Sequence, residues 1–412
     1  MLKSYQIQYC RNSLGIKTFK KELSGFPPSA KLSRSLMPAL SPTALLLQKL
    51  VRIPSVNPAD NPGVEKPGEE ACAVFIKAYL NSIGARASLE KVLPGRPNVL
   101  GIFPSVPRPK FRLLIAPHTD TVSVVGMTID PFFGTVSQGK LWGRGASDTK
   151  GPMAAMLSGL NEWYAARRGK KPSIAVTFAG LMGEEAGNQG AYALAKQKRP
   201  FDLAIIGEPT DLKIVHANNG VLWLGMETTG KARHASINIA RENAIYQLLP
   251  ALNFWQDLQQ RITRDSSWGI RSICVSTIHG GSKTNISPAS CHAQVDIRTA
   301  PDANIDLVEK KIVRELKKVA PSVRIKIEGR SLPLNTPPQH PLIQRVLPAT
   351  KGLAQAPWFC DAGIFSEEGI PSISFGPGSI KQAHTKDEWI RLKDLEEGKK
   401  RFVKILELLE DT

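Results

Sequence analysis

The 412-residue chain is short of the features that mark several protein classes. Its five cysteines, Cys10, Cys72, Cys274, Cys291 and Cys360, are odd in number, scattered, and form no C-x-x-C pair. That pattern argues against a disulfide scaffold and against a thiolate metal site, and it fits a reducing compartment. No stretch approaches the roughly 18 consecutive apolar residues that a membrane-spanning helix needs. Acids are scarce: 36 Asp and Glu face 54 Lys and Arg, a formal net charge of +18. Such a balance raises nucleic acid as a partner. Yet there is no zinc-finger spacing, no aromatic ribonucleoprotein signature and no clear recognition helix. Outside the first 40 residues the charge is spread thinly, which reads as a solvated basic surface. No specific nucleic-acid partner and no membrane partner are expected, and non-specific polyanion binding is the alternative.

With 42% apolar and 22% charged residues the chain is globular, and its length suits two or three domains. Residues 1–40 differ from the rest. They carry seven Lys and Arg against Glu22 alone, are Ser-rich, and are broken by Gly25, Pro27 and Pro28. They resemble a transit peptide in their lack of acids, but they have no clean amphipathic period. They also lack the apolar core of a secretory signal. Met37 is an alternative start. The expectation is a basic extension without a catalytic role.

Further on, strands and helices alternate. A helix is predicted over Leu45–Leu50 and another over Gly68–Ile83, with Glu69 and Glu70 in its first turn and Gly84 as its stop. Apolar strands follow at Phe111–Pro117, Ser173–Leu181 and Leu203–Ile206, with helices at Lys150–Arg168 and Gly190–Lys198 between them. Short apolar runs between helices imply an α/β sheet buried on both faces. From about Val215 the order becomes β-α-β-β-α-β: strand Leu222–Thr229, helix Ala244–Ile262, strands Ile273–Ile278 and Ala293–Arg298, helix Ile305–Ala320, strand Val323–Glu328. That is a ferredoxin-like module. A helix, the strand Ser372–Phe375 and a terminal helix Leu392–Leu409 complete the chain. The reading is one α/β domain, residues 41–217 and 330–412, interrupted by an α+β domain, residues 218–329.

Acids and histidines fall just past the strand ends, where open α/β sheets place ligands. His118-Thr119-Asp120 follows the first strand. On an extended segment His118 and Asp120 point the same way, and a metal-binding imidazole commonly has a carboxylate beside it. Asp148, in "GRGASDTKG", opens a helix, and a plain N-cap is the alternative there. Glu184 and Glu185 share a tight turn: one can ligate a dication while the other accepts a proton from water. Glu208 ends the strand at Leu203–Ile206, and His384 follows Ser372–Phe375. Oxygen and imidazole donors without paired thiols suit zinc or a similar divalent ion. The gaps of 30, 37, 23 and 176 residues between His118, Asp148, Glu185, Glu208 and His384 make no local motif. Only a folded scaffold can bring them together.

The motifs "PHTDTV", "GRGASDTKG", "GEEAGNQGA", "GEPT" and "AHTKDEW", in this order over roughly residues 42–410, resemble the dinuclear zinc metallopeptidase and amidohydrolase family of acetylornithine deacetylase, succinyl-diaminopimelate desuccinylase, aminoacylase and carboxypeptidase G. The resemblance implies a helix-flanked catalytic domain of the zinc aminopeptidase type with an inserted lid and dimerisation domain. It implies two Zn2+ per subunit, with Co2+ or Mn2+ as substitutes. His118, Asp148 and Glu208 would hold one ion, and Asp148, Glu185 and His384 the other. Asp120 would orient His118. Glu184 would be the general base acting on a zinc-bridged water, and the Asp148–Thr149 bond would be cis. In the insert, His234 would stabilise the transition-state oxygen. Asn285 of "GGSKTNISP" and Arg298 of "DIRT" would bind substrate, Arg298 through its carboxylate. For His234 the alternative is an exposed strand-end histidine, and for Arg298 a structural ion pair.

The family often has Asp where Gly183 stands, Pro where Ser123 stands, and "DMK" for "DTK". None of these departures removes a ligand or the base. The implied activity is cleavage of the amide bond of an N-acyl amino acid, acetylornithine deacetylase- or succinyl-diaminopimelate desuccinylase-like, by a cytoplasmic homodimer. Aminoacylase, dipeptidase and carboxypeptidase are the alternatives within the family. His216, His279, His292 and His340 match nothing and are read as surface or structural. Cys360 is read as pocket-wall packing.

Overall fold

The computed structural model describes residues 40–60, 68–237 and 239–411. The expected basic extension therefore lies outside the described residues, apart from Leu40. Among those residues no helix is long and apolar enough to cross a membrane.

The larger sheet has eight strands. In spatial order they are Arg86–Leu93, Arg96–Ile102, Ile174–Gly180, Phe111–Ile115, Leu203–Gly207, Ser372–Phe375, Ile214–Asn218 and Leu353–Ala356. The four central strands, from Ile174–Gly180 to Ser372–Phe375, run parallel, and the hairpin of the first two strands is antiparallel. Side chains on a strand alternate between faces. Leu113, Ile115, Leu203 and Ile205 accordingly enter one core with helices Pro42–Val51, Glu69–Ser82, Lys150–Ala165 and Leu392–Glu410. Leu114, Ala204 and Ile206 enter the other, with helices Gln189–Ala195 and Ala362–Glu367. This is the mixed, helix-flanked α/β fold expected from the apolar runs. On the first face, helix Lys150–Ala165 lies close to helix Leu392–Glu410. A Cβ at Gly159 would come within 2.9 Å of Phe402, so glycine permits that approach.

The second sheet has four strands, ordered Ile270–Gly280, Ser290–Thr299, Gly220–Thr229 and Arg324–Ser331, and every neighbouring pair is antiparallel. Helices Ala244–Ile262 and Ile305–Val319 cover one face and share a separate core around Trp255, Leu258 and Ile312. Strand order and connections are ferredoxin-like. The chain leaves the large sheet at Asn218 and returns at Leu334, and these two residues are bonded to each other. The Asn218 N–H donates to the Leu334 carbonyl (3.0 Å), and the Leu334 N–H donates to Asn218 Oδ1 (2.9 Å).

Candidate metal site

The carboxyl ends of the parallel strands form one rim of the large sheet, and the acidic and imidazole side chains gather there. His118 follows Phe111–Ile115, Glu184 and Glu185 follow Ile174–Gly180, and Glu208 follows Leu203–Gly207. Nδ1 of His118 donates to the Asp120 carbonyl (3.0 Å), which leaves Nε2 aimed at Asp148 Oδ1 (3.1 Å). Asp148 does not cap the helix it precedes. Thr149 holds the cap position without a side-chain bond, and Asp148 turns instead to both histidines. Its Oδ2 lies 3.5 Å from His384 Nε2, which also meets Glu185 Oε2 at 3.0 Å. Ligand atoms of His118, Asp148 and Glu185 all lie within 4.8 Å of one another. The Asp148–Thr149 peptide is cis.

The Asp120 carboxylate sits 3.5 Å from His118 Nδ1, and its hydrogen bonds go elsewhere. It accepts from the N–H groups of Glu184 (3.1 Å) and Glu185 (3.0 Å) and from Asn57 Nδ2 (2.8 Å). Asp120 thus fixes His118 through its backbone and fixes the Glu184-Glu185 turn through its side chain. Burial alone would raise its carboxyl. The adjacent His118 imidazole and the hydrogen bond from Asn57 outweigh burial and leave it below the usual range.

Other groups, to which the sequence reading gave no site role, hold the same turn. Asn98 accepts from the Met182 N–H (3.0 Å) and donates to the Gly190 carbonyl (2.9 Å). Glu69, buried and paired with Arg96, accepts from the Gly183 N–H (3.0 Å). Gly183 itself has φ +75°, which glycine adopts without strain. Asn188 donates to the buried Asp361 (3.0 Å). Their sequence signal was slight: Asn98 stands in "GRPN" and Asp361 in "CDAG", which carry no acid–histidine pattern, while Glu69 reads as a helix-start acid and Asn188 as part of "GEEAGNQGA".

The site is crowded with like charge. Burial pushes Glu185 up to about 7, with Asp148 adding to the rise. Burial also drives Glu184 and Glu208 well above the carboxylate range. Repulsion from Glu208 and Glu185 raises Glu184 further and repulsion from Asp148 and Asp361 raises Glu208 further, while His118 pulls both down. Burial pulls the His118 imidazole down, but the neighbouring carboxylates of Asp120 and Asp148 overcome it and hold the ring well above its ordinary value. The hydrogen bond to Glu185 raises His384. The site thus sets two imidazoles, His118 and His384, against the carboxylates of Asp148, Glu184, Glu185 and Glu208. Oε1 of Glu185 and Oε1 of Glu208 are buried with no hydrogen-bond partner. Orphaned carboxylate oxygens facing imidazole nitrogens are the donors a borderline divalent cation takes, so the residues present fit one.

Direct contacts therefore join His118, Asp148, Glu185 and His384. Glu208 and Glu184 lie within electrostatic reach of them. His234 and Asn285 do not join the cluster. Both are exposed on the smaller unit, with His234 Nδ1 meeting Ser236 Oγ (2.8 Å) and the Asn285 carbonyl accepting from the Ala235 N–H (2.9 Å). Arg298 is held by Asp296 through two hydrogen bonds (2.7 and 2.9 Å). Cys360 is buried against Ser374 and Asn218, and His216 is buried with Nδ1 on the Thr336 carbonyl (2.9 Å).

An α/β scaffold with carboxylate and imidazole side chains converging at its strand ends defines a candidate divalent-metal site. Residues 114–408 match the model of peptidase family M20/M25/M40. An acetylornithine deacetylase from Edwardsiella ictaluri is 30% identical over 363 residues, covering 84% of this chain and 92% of that one. Among solved structures, an M20 family metallo-carboxypeptidase from Sulfolobus solfataricus superposes with a TM-score of 0.76 at 18% identity, covering 90% of this chain and all of that one. A dinuclear metal-binding M20 peptidase from Bacillus subtilis superposes with a TM-score of 0.64 at 13% identity, covering 89% and 98%. The chain belongs to peptidase family M20/M25/M40 and is a metal-dependent hydrolase of peptide or amide bonds.

Proposed function

We propose that this hydrolase cleaves the amide bond of an N-acyl amino acid, with acetylornithine or succinyl-diaminopimelate as the model substrates. The observation that carries the reading is the meeting of His118, Asp148, Glu185 and His384 around buried carboxylate oxygens that have no partner. The Edwardsiella relative, an acetylornithine deacetylase by name, supports the acyl-amino-acid class.

In this reading His118, Asp148 and Glu208 hold one zinc ion, Asp148, Glu185 and His384 hold a second, and Co2+ or Mn2+ substitutes. Bound there, the ions polarise the amide carbonyl and lower the pKa of water. Glu184 takes the proton of the attacking water as the new C–O bond forms. It delivers that proton to the amide nitrogen as the C–N bond breaks, giving a carboxylate and a free amine. Burial keeps its carboxyl high, which suits a group that must hold a proton between the two steps. Asp120 keeps His118 and the Glu184 turn in register. His234, Asn285 and Arg298 reach the substrate from the inserted unit, residues 218–329, when it closes, and Arg298 exchanges Asp296 for the substrate carboxylate.

We also propose a homodimer through that unit. Strand Ile270–Gly280 is the sheet's edge, and Val275 and Ile278 on it are exposed, as are Tyr246 and Leu249 on the neighbouring helix. The free thiols of Cys72, Cys274, Cys291 and Cys360 suit a cytoplasmic setting.

The test is a panel of acetylornithine, succinyl-diaminopimelate, acetyl-amino acids and dipeptides, assayed with added zinc, cobalt or manganese. Turnover of an acyl-amino acid, abolished by chelation, is expected. A metal-loaded protein that cleaves only dipeptides would overturn the substrate class.

A further inference from the structure

Glu388 is buried completely, yet it belongs to none of the metal-binding or proton-transfer groups. Its carboxylate is saturated by one short loop. Oε1 accepts from the N–H groups of Ser147 (2.6 Å) and Asp148 (2.8 Å), and Oε2 accepts from the Gly145 N–H (2.8 Å) and Arg144 Nη1 (2.9 Å). Its carbonyl accepts from the Gly143 N–H (2.9 Å). Arg144, buried in turn, donates from Nη2 to the Thr385 carbonyl (3.2 Å) and from Nε to the Ser123 carbonyl (3.1 Å). Just beyond, Trp389–Arg391 pairs antiparallel with Lys140–Trp142.

Two stretches of chain, 140–148 and 384–391, are therefore zipped together by strand pairing and by one internal ion pair. Each stretch carries one of the side chains that share a cation in the reading above: Asp148 on the first, His384 on the second. His118 and Glu208 stand on other strands and touch neither Glu388 nor Arg144. Without this lock the distance from Asp148 to His384, 236 residues apart in sequence, would depend on the packing of the two loops alone.

We propose that Glu388 is a positioning residue: with Arg144 it locks Asp148 and His384 at the spacing needed to hold one of the two metal ions. The inference rests on the two-ion reading. In that reading neither residue binds an ion or transfers the proton. A ligand held off its place by even part of an ångström loses affinity, and groups that orient metal ligands are commonly worth 10- to 100-fold.

The test is zinc binding to the full-length protein, in competition with a chromophoric chelator, for the wild type, Glu388→Gln, Arg144→Met and His384→Ala. Glutamine keeps the size of Glu388 but sets an NH2 group against backbone N–H donors. Wild type is expected to bind two ions. Glu388→Gln is expected to lose 10- to 100-fold affinity for the ion that His384 holds and clearly less for the other, which shares only Asp148 with it. Turnover that falls at limiting zinc should return at saturating zinc. His384→Ala should weaken the same ion, and adding Glu388→Gln to it should cost little more. Arg144→Met, which leaves the backbone bonds to Glu388 in place, should give the same one-sided loss if Glu388→Gln proves poorly folded by circular dichroism. Two ions bound with unchanged or equally weakened affinities in both variants would overturn the inference alone. A wild-type protein that takes up no zinc would overturn the metal reading and the inference with it.

Discussion

At the scale of single residues, one carboxylate is assigned to proton transfer and its neighbour to metal binding, although they are adjacent in sequence. Glu184→Gln should retain both metal ions and lose about 10²- to 10⁴-fold in kcat. Metal analysis beside steady-state kinetics checks this, and undiminished turnover refutes the base assignment. Asp120 serves two neighbours at once, so Asp120→Ala should act in two ways. It should remove the negative charge beside the His118 ring, whose bond to the residue-120 carbonyl remains, and leave the N–H groups of Glu184 and Glu185 without their acceptor. Metal affinity is expected to fall about 10- to 100-fold, with a lower melting temperature even in metal-free protein. The sequence named His118, Asp120, Asp148, Glu184, Glu185, Glu208 and His384 because acids and histidines at strand ends stand out. It gave no site role to Glu69, Asn98, Arg144, Asp361 or Glu388. Those residues act through hydrogen bonds to distant loops, and such pairings leave no trace in local spacing.

At the scale of elements, periodicity was enough for the buried strands and long helices. Helix Ala244–Ile262 and strand Ser372–Phe375 fall where the pattern put them, and the other long elements differ by a few residues at their ends. Most of the missed elements share one property. Strand Arg86–Leu93, the short strands Thr135–Ser137, Lys140–Trp142 and Trp389–Arg391, and the edge strand Leu353–Ala356 are partly exposed or only three to four residues long, whereas Arg96–Ile102 and Ile214–Asn218 were missed although five consecutive residues of each are buried. Pairing partners, rather than an apolar pattern of their own, make the exposed and short ones strands. Two predictions belong here. Phe402 is buried where helix Leu392–Glu410 meets Gly159, so Phe402→Ala should cost about 3–5 kcal/mol in chemical denaturation. Val275→Lys with Ile278→Lys, on the exposed edge strand, should shift the proposed dimer to monomer in sedimentation. An unchanged sedimentation coefficient would place the dimer contact elsewhere.

At the scale of the whole molecule, the acidic site sets how stability responds to pH and metal. Burial holds Glu185 and Asp361 near 7 in the folded chain, against about 4 when unfolded. The folded metal-free protein then binds more protons than the unfolded one between those values. Its stability is greatest below about pH 4 as far as these groups are concerned, falls as pH rises toward 7, and levels off above. Divalent cations replace those protons. The melting temperature of metal-free protein should therefore drop between pH 5 and 7, and zinc should raise it more at pH 7.5 than at pH 5. Equal zinc-induced shifts at the two pH values would contradict this.

The junction between Asn218 and Leu334 has its own consequence. The polypeptide crosses out of the eight-stranded sheet and back at one hydrogen-bonded pair, so the segment between them is attached like a cassette at a single port. A few glycines could bridge that port at little entropic cost, and the excised chain would retain both buried cores of the large sheet. Such a minimal protein is expected to fold and take up metal yet turn over no substrate, which would separate the work of the cage from that of the part removed.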